Sequence, residues 1–390
     1  MKLLIMHRSY ALVGGAERVI TDKANYLAKA GHQLMLVSYE QGHHPLPYEL
    51  HPSVAYRDLD CRFFTLSKYS APLHLYHFFR LKQKFRKSLH ELAEEFKPDV
   101  VVLASDWQIL IKSVVEAVSP VPVIAEFHNT YEYVMRQVGV SDGWLKSKLT
   151  QLYYGQTLKN LGRCAQLVVL TESDASRWRR HFTNVTVVPN PVTLYPDVID
   201  DIPKDPGRII FVGRFNHEKR IDRLITAFSM IADKYPDWHV DIFGDGNEKQ
   251  NLLRQIQEMR LEQRVIIHEP TKAIYDEYKR SEMLVLCSEH EAWSLVLVEA
   301  MACGVPCVSM DCPNGPREII NDHVTGLLAK DGDVQDLSVK IEWLITHEAE
   351  RHHMGRAARI AAATRKLEVV MEKWEELYTQ FESFHHASST

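Results

Sequence analysis

The sequence predicts an α/β protein of two doubly wound domains, each a parallel sheet with helices on both faces. Short apolar runs alternate with longer amphipathic stretches along the chain, a pattern typical of buried parallel strands joined by helices. At 390 residues the chain is too long for one ordinary hydrophobic core. A stretch rich in Pro and Asp interrupts the alternation near the middle of the chain. Together these observations predict two domains and a linker.

Each half supplies its own series of candidate strands. In the first half they lie at residues 2–6, 33–38, 100–103, 121–126, 167–170 and 185–188. In the second half they lie at 208–212, 239–243, 265–268, 283–286 and 307–310, with helical patterns such as 221–235 and 249–259 between them. We therefore expect a first domain at 1–190, a linker at 191–206 and a second domain at 207–365. The amphipathic pattern within 366–390 predicts a helix that crosses back to the first domain.

Composition argues against several classes of protein. The net charge of −5 argues against a nucleic-acid binder. The six cysteines form no Cys-x-x-Cys pair, and no zinc-binding helix motif occurs. The first apolar run ends at His7 and Arg8, which is too short for a signal peptide, and no run is long enough to span a bilayer. We expect a cytoplasmic protein with reduced cysteines.

The most informative motif is Glu291-Ala-Trp-Ser-Leu-Val-Leu-Val-Glu299, followed by Ala300-Met-Ala-Cys-Gly-Val-Pro306. It predicts a turn that enters a helix, with Glu291 at the helix start, both carboxylates near one face and the amides of the first turn available to an anion. Eight residues span about 12 Å of helical rise, so the two carboxylates could hold the two ends of a long polar ligand. Two solvated carboxylates on a surface helix are the alternative.

Two loops after predicted strands have the chemistry of a phosphate site. Gly14 and Gly15 open a helix after the first strand, where backbone amides can approach an anion closely. In the second half Gly213 allows a tight turn, and Arg214 and Lys219 supply two cations that suit a diphosphate. The alternatives are a plain tight loop and ordinary surface cations.

Three further features of the sequence bear on function. His128 follows the predicted strand 121–126, at the sheet edge where ligands bind; a hydrogen-bonded structural histidine is the alternative. Asp58 and Asp60 match an Asp-x-Asp pattern but lie in an irregular region far from the phosphate-like loops, so we expect no metal there. The basic segment 77–87, with interleaved Phe and Leu, predicts a helix that contacts an anionic membrane or acceptor, against the alternative of a solvated helix. Candidate acceptor or membrane residues are Arg18, Arg80, Lys82, Lys84, Arg86 and Lys87.

In combination these motifs resemble the retaining glycosyltransferases of family 4, which have the GT-B fold. Four elements match in order: the glycine pair, the Pro189-Asn190-Pro191 ending of the first domain, the Gly213-Arg214…Glu218-Lys219 loop, and the Glu-x7-Glu motif with Glu-Ala-Met-Ala-x-Gly-x-Pro. The resemblance covers essentially the whole chain, and it is strong across 207–330 and loose across 40–120. It implies two Rossmann-like domains that face a central cleft.

The resemblance also implies roles for the second-domain residues. Arg214 and Lys219 would hold the donor diphosphate, with Gly213 at the turn. Glu299 would bind the ribose, and Glu291 would lie beside the donor sugar. The amides around Trp293, Ser294, Leu295 and Val296 would contact the sugar and phosphates.

In the first domain, the resemblance implies that Gly15, next to Gly14, lets the loop approach the donor phosphates. His128 would lie near the anomeric centre. The family needs neither a metal ion nor another cofactor. Many relatives have Gly-Phe-Gly after the first Glu, where this chain has Ala292-Trp293-Ser294, so the donor sugar cannot be copied from them.

The sequence thus predicts a retaining, metal-independent hexosyl- or N-acetylhexosaminyltransferase. By the family's habit it would use a UDP-sugar donor and a glycan or lipid-linked acceptor in surface polysaccharide or glycolipid synthesis. It would work in the cytoplasm, peripherally on the inner face of the membrane, and would not bind nucleic acid. The alternatives are a sugar-nucleotide epimerase or hydrolase of the same fold, and a non-catalytic nucleotide-sugar-binding subunit.

Overall fold

The chain divides into two units. The computed structural model describes residues 1–11, 14–104, 110–136 and 154–387, with the backbone alone for 382–387. Unit 1 comprises Met1–Pro189 and Val370–Thr390, and unit 2 comprises Asn190–Val369. Unit 1 therefore takes its residues from two separate parts of the sequence.

Unit 1 is built on a parallel sheet with helices and turns between its strands. The strands are β1 (Lys2–Met6), β2 (Gln33–Ser38), β3 (Ala55–Asp58), β4 (Val100–Leu103), β5 (Val123–Glu126), β6 (Gln166–Val169) and β7 (Val185–Val187). The helices include α1 (Gly15–Lys29), α2 (Ala71–Phe96), α3 (Ile111–Val118), α4 (Tyr131–Arg136) and α5 (Glu172–Trp178), and a 3-10 turn spans Phe63–Lys68. The strand order is β3-β2-β1-β4-β5-β6-β7. The order of the strands thus reverses between β1 and β4.

Unit 2 repeats this architecture. Its strands are β8 (Arg208–Val212), β9 (His239–Phe243), β10 (Val265–His268), β11 (Met283–Leu286), β12 (Cys307–Met310) and β13 (Gly326–Ala329), in the order β10-β9-β8-β11-β12-β13. Its helices are α6 (Ile221–Ser229), α7 (Lys249–Glu258), α8 (Ile274–Arg280), α9 (Leu295–Ala302), α10 (Gly315–Ile319), α11 (Val334–Thr346) and α12 (Glu348–Ala363), with 3-10 turns at His217–Lys219 and Ala232–Lys234. Every strand pair in both sheets is parallel within the described residues. The predicted class, two doubly wound Rossmann-like domains, is confirmed.

Three details differ from the sequence prediction. Two strands, β3 and β13, were not predicted. The expectation of an irregular region around Asp58 is therefore wrong. Asp58 ends β3, and its carboxylate accepts hydrogen bonds from the Ser38 hydroxyl (2.8 Å) and the Gly42 amide (3.2 Å). The predicted helix 221–235 ends at Ser229, and a separate short turn follows. Pro236 explains why the helix cannot reach residue 235, since a proline disfavours helical geometry in the residue before it.

The last described helix, α13 (Leu367–Ala387), begins in unit 2 and continues into unit 1. Its buried residues in unit 1 include Trp374 and Tyr378, whose rings stack with centroids 5.6 Å apart. Glu375 contacts His32 at 3.0 Å between Oε2 and Nε2. In the part of the chain that the structure describes, no helix is long and apolar enough to cross a membrane.

Asp174, at the start of α5, makes the stability of unit 1 depend on pH. Its carboxylate is 4% exposed and accepts hydrogen bonds from the Tyr131 amide (2.6 Å) and the Trp178 indole (3.2 Å). Burial raises the pKa of this carboxyl to about 6. Since the ordinary value is about 3.9, the folded state binds more protons than the unfolded state between these two pKa values. Stability is therefore lost as the pH rises through about 6.

We predict that Asp174→Asn removes this pH dependence. Asn stays neutral, so the free energy of unfolding of the variant should rise relative to wild type from pH 4 to pH 7, by on the order of 2 kcal/mol. Any cost from the altered contact with Trp178 does not depend on pH and shifts all values equally. Urea unfolding followed by tryptophan fluorescence measures the difference. A constant difference across this pH range would contradict the prediction.

Candidate functional site

In unit 2 the candidate residues collect where the strand order reverses, between β8 and β11. Ligands of open parallel sheets bind at this position, outside the carboxyl ends of the strands. The loop after β8 and the loop after β11 leave from these neighbouring strands. The amide of Glu289 donates to the carbonyl of Glu218 at 2.9 Å, and Arg220 pairs with Glu289 at 2.6 Å. The two loops are therefore fixed to one another.

An ion pair between Lys219 and Glu291 crosses the same position. Lys219 Nζ lies 2.6 Å from Glu291 Oε1, and the Ser288 hydroxyl donates to that oxygen at 2.8 Å. The side chain of Asn216 accepts a hydrogen bond from the Lys219 amide at 3.2 Å, which fixes the turn that carries the lysine. Glu291 is only 7% exposed. The structure thus holds a buried carboxylate against a half-buried cation at the candidate site.

Glu291 does not lie in a helix, contrary to the sequence prediction. Helix α9 begins at Leu295, and Ser294 precedes it. Glu291 instead pairs with the segment after β12, where the amide of Gly315 donates to its carbonyl at 3.1 Å. A Cβ at Gly315 would lie only 3.3 Å from that carbonyl oxygen. The estimate of 12 Å between the carboxylates as helical rise is therefore wrong, because only the second half of the motif is helical.

Polar groups without partners in the described part of the chain lie among buried side chains at the start of α9. Trp293 and Ser294 are 8% and 3% exposed, and Leu295 and Val296 are half-buried. The Trp293 Nε1 and the Ser294 hydroxyl make no hydrogen bond to any residue the structure describes. The first amides of a helix also lack partners within the helix. This segment therefore offers several donors to a polar ligand.

Glu299 lies on the buried helix α9 and is 7% exposed. The hydroxyl of Tyr278, itself fully buried, donates to Glu299 Oε2 at 3.0 Å. Burial and the neighbouring carboxylate raise the pKa of Tyr278 well above its usual value, so Tyr278 stays a neutral donor. This contact fixes the orientation of the Glu299 carboxylate.

Arg214 is exposed, and Gly213 before it packs against the ring of Phe211 at 3.3 Å. Within the described ranges no ion pair involves Arg214, in contrast to Lys219. The loop after β9 supports this region, since the amide of Phe215 donates to the Asp245 carbonyl at 2.8 Å. Arg214 therefore has its guanidinium donors available to an anion.

In unit 1 the glycine pair lies at the start of α1. Gly14 precedes the helix, and the carboxylate of Glu17 folds back over it, so that a Cβ at Gly14 would lie 2.3 Å from Glu17 Oε2. His7, which follows β1, approaches Glu17 with 3.8 Å between Nε2 and Oε1. Burial alone would raise the pKa of Glu17, but His7, the Glu17 backbone amide and His128 together outweigh burial, and the pKa is lowered. Sequence reasoning missed Glu17 and His7, although both flank the glycine-containing loop.

His128 lies just beyond the carboxyl end of β5 and its side chain is 8% exposed. Its Nε2 lies 3.5 Å from Glu126 Oε1. The histidine therefore lies on the edge of the sheet that sequence reasoning predicted, next to a carboxylate that was not singled out.

The basic segment differs from its prediction in detail. Lys84, Arg86 and Lys87 pair with acidic residues, at 3.9 Å to Asp60, 3.4 Å to Glu116 and 3.7 Å to Glu91. Arg80 is exposed, and Lys82 is half-buried, with its pKa lowered by burial. Arg18 on α1 contacts Asp22 at 3.9 Å. Much of the predicted positive charge is thus compensated by neighbouring carboxylates.

The beginning of α2 and the turn before it expose a separate set of apolar side chains, which we call the apolar tip. They are Phe64, Tyr69, Leu73, Leu75, Tyr76 and Phe79, between 40% and 62% exposed. Residues 61–90 contain seven Lys or Arg and neither Asp nor Glu. Sequence reasoning identified the cations of this segment but not the apolar tip.

The described residues contain no group of three or more His, Cys, Asp or Glu side chains that could hold a metal ion. All six cysteines are buried and unpaired. Burial raises the pKa of the Cys61 thiol to about 12, so this thiol remains protonated at neutral pH.

Comparison with known proteins identifies the family of this chain. Residues 13–194 match the family model described as glycosyltransferase family 4, and residues 198–361 match the model described as glycosyl transferases group 1. The amylovoran biosynthesis glycosyltransferase AmsD of Erwinia amylovora is 26% identical over 96% of this chain and 99% of its own length. A Campylobacter jejuni enzyme, named as an alpha-1,4-N-acetyl-D-galactosaminyltransferase that acts on a diphospho-undecaprenol-linked glycan, is 24% identical over 94% of this chain and 95% of its own length.

Solved structures agree on the fold. HepE of Anabaena in complex with UDP superposes with a TM-score of 0.73, at 18% identity, over 97% of this chain and all of the Anabaena chain. At this identity the match shows the fold alone.

Proposed function

Because the chain belongs to the family 4 glycosyltransferases of the GT-B fold, we propose that it transfers a sugar, with retention of configuration, from a UDP-sugar to a glycan or lipid-linked acceptor. The observation that carries the proposal is the contact of Lys219 with Glu291 where the strand order of unit 2 reverses. A phosphate-binding cation and a sugar-binding carboxylate side by side suit the junction of a nucleoside diphosphate with a hexose.

We assign the charges of the donor to the loop after β8. When the glycosyl–phosphate bond breaks, the nucleoside diphosphate gains negative charge, and preorganised cations stabilise it most where water is excluded. Arg214 offers a planar fork of donors to the diphosphate. Lys219 has three N–H donors and the Glu291 contact uses one, so it can bind a phosphate oxygen at the same time.

The remaining unit 2 residues bind the neutral parts of the donor. Glu291, held by Ser288 and Lys219, accepts hydrogen bonds from the sugar hydroxyls. Glu299, oriented by Tyr278, binds the ribose. The indole of Trp293 and the hydroxyl of Ser294, together with the first amides of α9, line the sugar and phosphates.

For unit 1 we propose that Gly14 and Gly15 let the loop approach the phosphates and that His128 contacts the transferred sugar. In the transfer, the bond from the anomeric carbon to the phosphate oxygen breaks and the bond to the acceptor oxygen forms on the same face. The acceptor proton passes to the departing phosphate. No metal ion is needed in this scheme, because the two cations of unit 2 balance the charge of the leaving group.

We further propose that the apolar tip docks on an anionic membrane, on the face that meets a reducing cytoplasm. Its six apolar side chains can enter the headgroup region, while Lys68 and Arg80 beside them meet anionic lipid. Each basic residue near such a surface contributes about 1 kcal/mol. The acceptor of the Campylobacter relative is lipid-linked by name, and the unpaired thiols fit a reducing compartment.

We expect Lys219→Ala to lower the transfer rate by about 10²–10³-fold, because it removes one preorganised cation from the leaving group. Ser288 still holds Glu291 in this variant, so the fold should persist. The rate is measured with a UDP-sugar and an acceptor panel in the presence of EDTA, and the rise in melting temperature with UDP, GDP or ADP is measured in parallel. UDP should give the largest rise in wild type and a smaller one in the variant.

The matched control is Lys234→Ala, which breaks a surface ion pair with Glu342 (3.3 Å) elsewhere in unit 2. It should leave both the rate and the UDP response unchanged. Near-normal transfer by the Lys219 variant would contradict the assignment of the donor site, and loss of transfer in EDTA would contradict the metal-free scheme.

Retention is tested on the product itself. Proton NMR of the purified product should show the same anomeric configuration as the donor sugar. An inverted product would exclude the same-face displacement, and release of free sugar without an acceptor product would favour a hydrolase.

Membrane docking is tested with the double substitution Leu75→Glu and Tyr76→Glu in the apolar tip. We expect it to lower binding to vesicles of phosphatidylglycerol and phosphatidylcholine by at least about tenfold, because burying one such side chain contributes about 1.5–3 kcal/mol. Vesicle flotation measures the bound fraction. Ile360→Glu is the control, since Ile360 is an exposed apolar residue of unit 2 (73% exposed), outside the apolar tip, and its substitution should not change vesicle binding. Wild type that stays unbound, or equal binding by all three proteins, would refute the proposal.

A further inference from the structure

Unit 1 contains a lysine that is completely buried beneath α13. Lys23, on α1, is 0% exposed, and its ammonium forms an ion pair with Glu126 Oε2 at the end of β5. The ammonium also lies 3.9 Å from the centroid of the Trp374 ring. Burying a lone charge is costly unless it is paired, so the pair and the aromatic ring together hold this cation in place.

Glu126 connects this lysine with His128. Its Oε2 bonds Lys23, while its Oε1 lies 3.5 Å from His128 Nε2. Burial alone would raise the pKa of Glu126, but Lys23 and His128 outweigh it and lower the pKa to about 2. The carboxylate is therefore a fixed negative charge next to one ring nitrogen of His128.

Among the titratable groups around Glu126 and His128, Glu126 is the carboxylate within ion-pair distance of the His128 ring. Tyr10 and Tyr378 are fully buried, and burial raises their pKa values so far that both stay neutral. Glu17 interacts with His128 electrostatically but is engaged by His7. The groups that interact electrostatically with Glu126 or His128 are Lys23 and Glu17 of α1, Tyr10 after β1 and Tyr378 of α13. His7 acts on Glu17, and Glu375 acts on Tyr378.

Both ring nitrogens of His128 are buried, and neither makes a hydrogen bond to the residues that the structure describes. In a neutral imidazole the position of the proton is set by the group nearest to one nitrogen. A carboxylate next to Nε2 favours the proton on Nε2 and leaves Nδ1 as the acceptor. The Glu126 side chain is thus placed to select one tautomer.

We propose that Glu126 is a positioning residue that fixes the tautomer and ring orientation of His128, and that Lys23 and the Trp374 ring of α13 hold Glu126 in place for it. This inference rests on the proposed role of His128 in transfer. It assigns a function to α13, which supplies the Trp374 ring over the Lys23 ammonium. It also assigns one to Lys23 and Glu126, which lie outside the recognised motifs.

The first variant is Glu126→Gln, which keeps the shape but removes the charge. Selective ¹⁵N-histidine labelling, with His128 identified by its absence in a His128→Gln spectrum, should show the Nε2–H tautomer in wild type and a mixture in the variant. The kcat should fall about 10–100-fold, the range known for loss of a carboxylate that orients a metal-bound histidine, with little change in the KM for the donor.

Glu126→Gln leaves Lys23 buried without its partner and could unfold unit 1, so a second variant is needed. The double substitution Lys23→Met and Glu126→Gln removes both charges at similar volume, an exchange that folded proteins often tolerate. It should fold, show the same mixture of tautomers and have the same lowered kcat. Trp374→Phe should retain most activity because a ring remains, whereas Trp374→Leu should approach the loss seen in Glu126→Gln.

The control is Glu40→Gln, since Glu40 is also a buried carboxylate of unit 1, paired with Arg8 rather than with His128. It should change neither the tautomer nor kcat. The inference is overturned if the folded double variant keeps the wild-type tautomer or a kcat within about twofold of wild type. Normal transfer by His128→Ala would instead contradict the proposed function, while the tautomer measurement would still test the contact with Glu126.

Discussion

The rest of the structure depends on one constraint: all described strands of each sheet run in the same direction. Their carboxyl ends therefore share one edge, and the loops that follow them meet there. In unit 2 this brings together Lys219 and Glu291, which are 72 residues apart in sequence. In unit 1 the edge of the same kind carries His7, Glu17 and His128. In each unit, therefore, the shared direction of the strands brings the candidate site residues to one edge of the sheet, although they come from separate parts of the sequence.

The sequence is most informative where strands are buried on both faces. The central strands are continuous apolar runs, and their positions could be read directly. Strand β3 could not, because it lies at the edge of its sheet and alternates between exposed and half-buried residues. Strand β13 begins with Gly326, a residue that weakens strands, but a Cβ there would lie 2.3 Å from the Cys307 carbonyl of the neighbouring strand. Tertiary contact, not local propensity, decides both strands.

For the candidate site, too, one part could be predicted from the sequence and another part could not. The second-domain residues are carried by local motifs, so Arg214, Lys219, Glu291 and Glu299 could be named from the sequence. The conformation at Glu291 could not, because a hydrogen bond from Gly315, well beyond the motif, holds it outside the helix. For the cations of α2 the residues could be named but not all of their partners, since the carboxylates that pair with Lys84 and Arg86 come from other elements. Sequence patterns identify which groups are present, whereas partners distant in the chain decide which of them remain available.

Unit 1 has a consequence for the timing of folding, because its parts come from two separate stretches of the chain. Lys23 and Glu126 emerge from the ribosome early, whereas Trp374, which covers the lysine, follows about 250 residues after Glu126. At synthesis rates of about 5–20 residues per second, that interval is on the order of 10–50 s. During this time the whole of unit 2 is synthesised, and the ammonium of Lys23 lacks its contact with the Trp374 ring. Unit 1, the first to be started, is therefore completed after unit 2 has been synthesised.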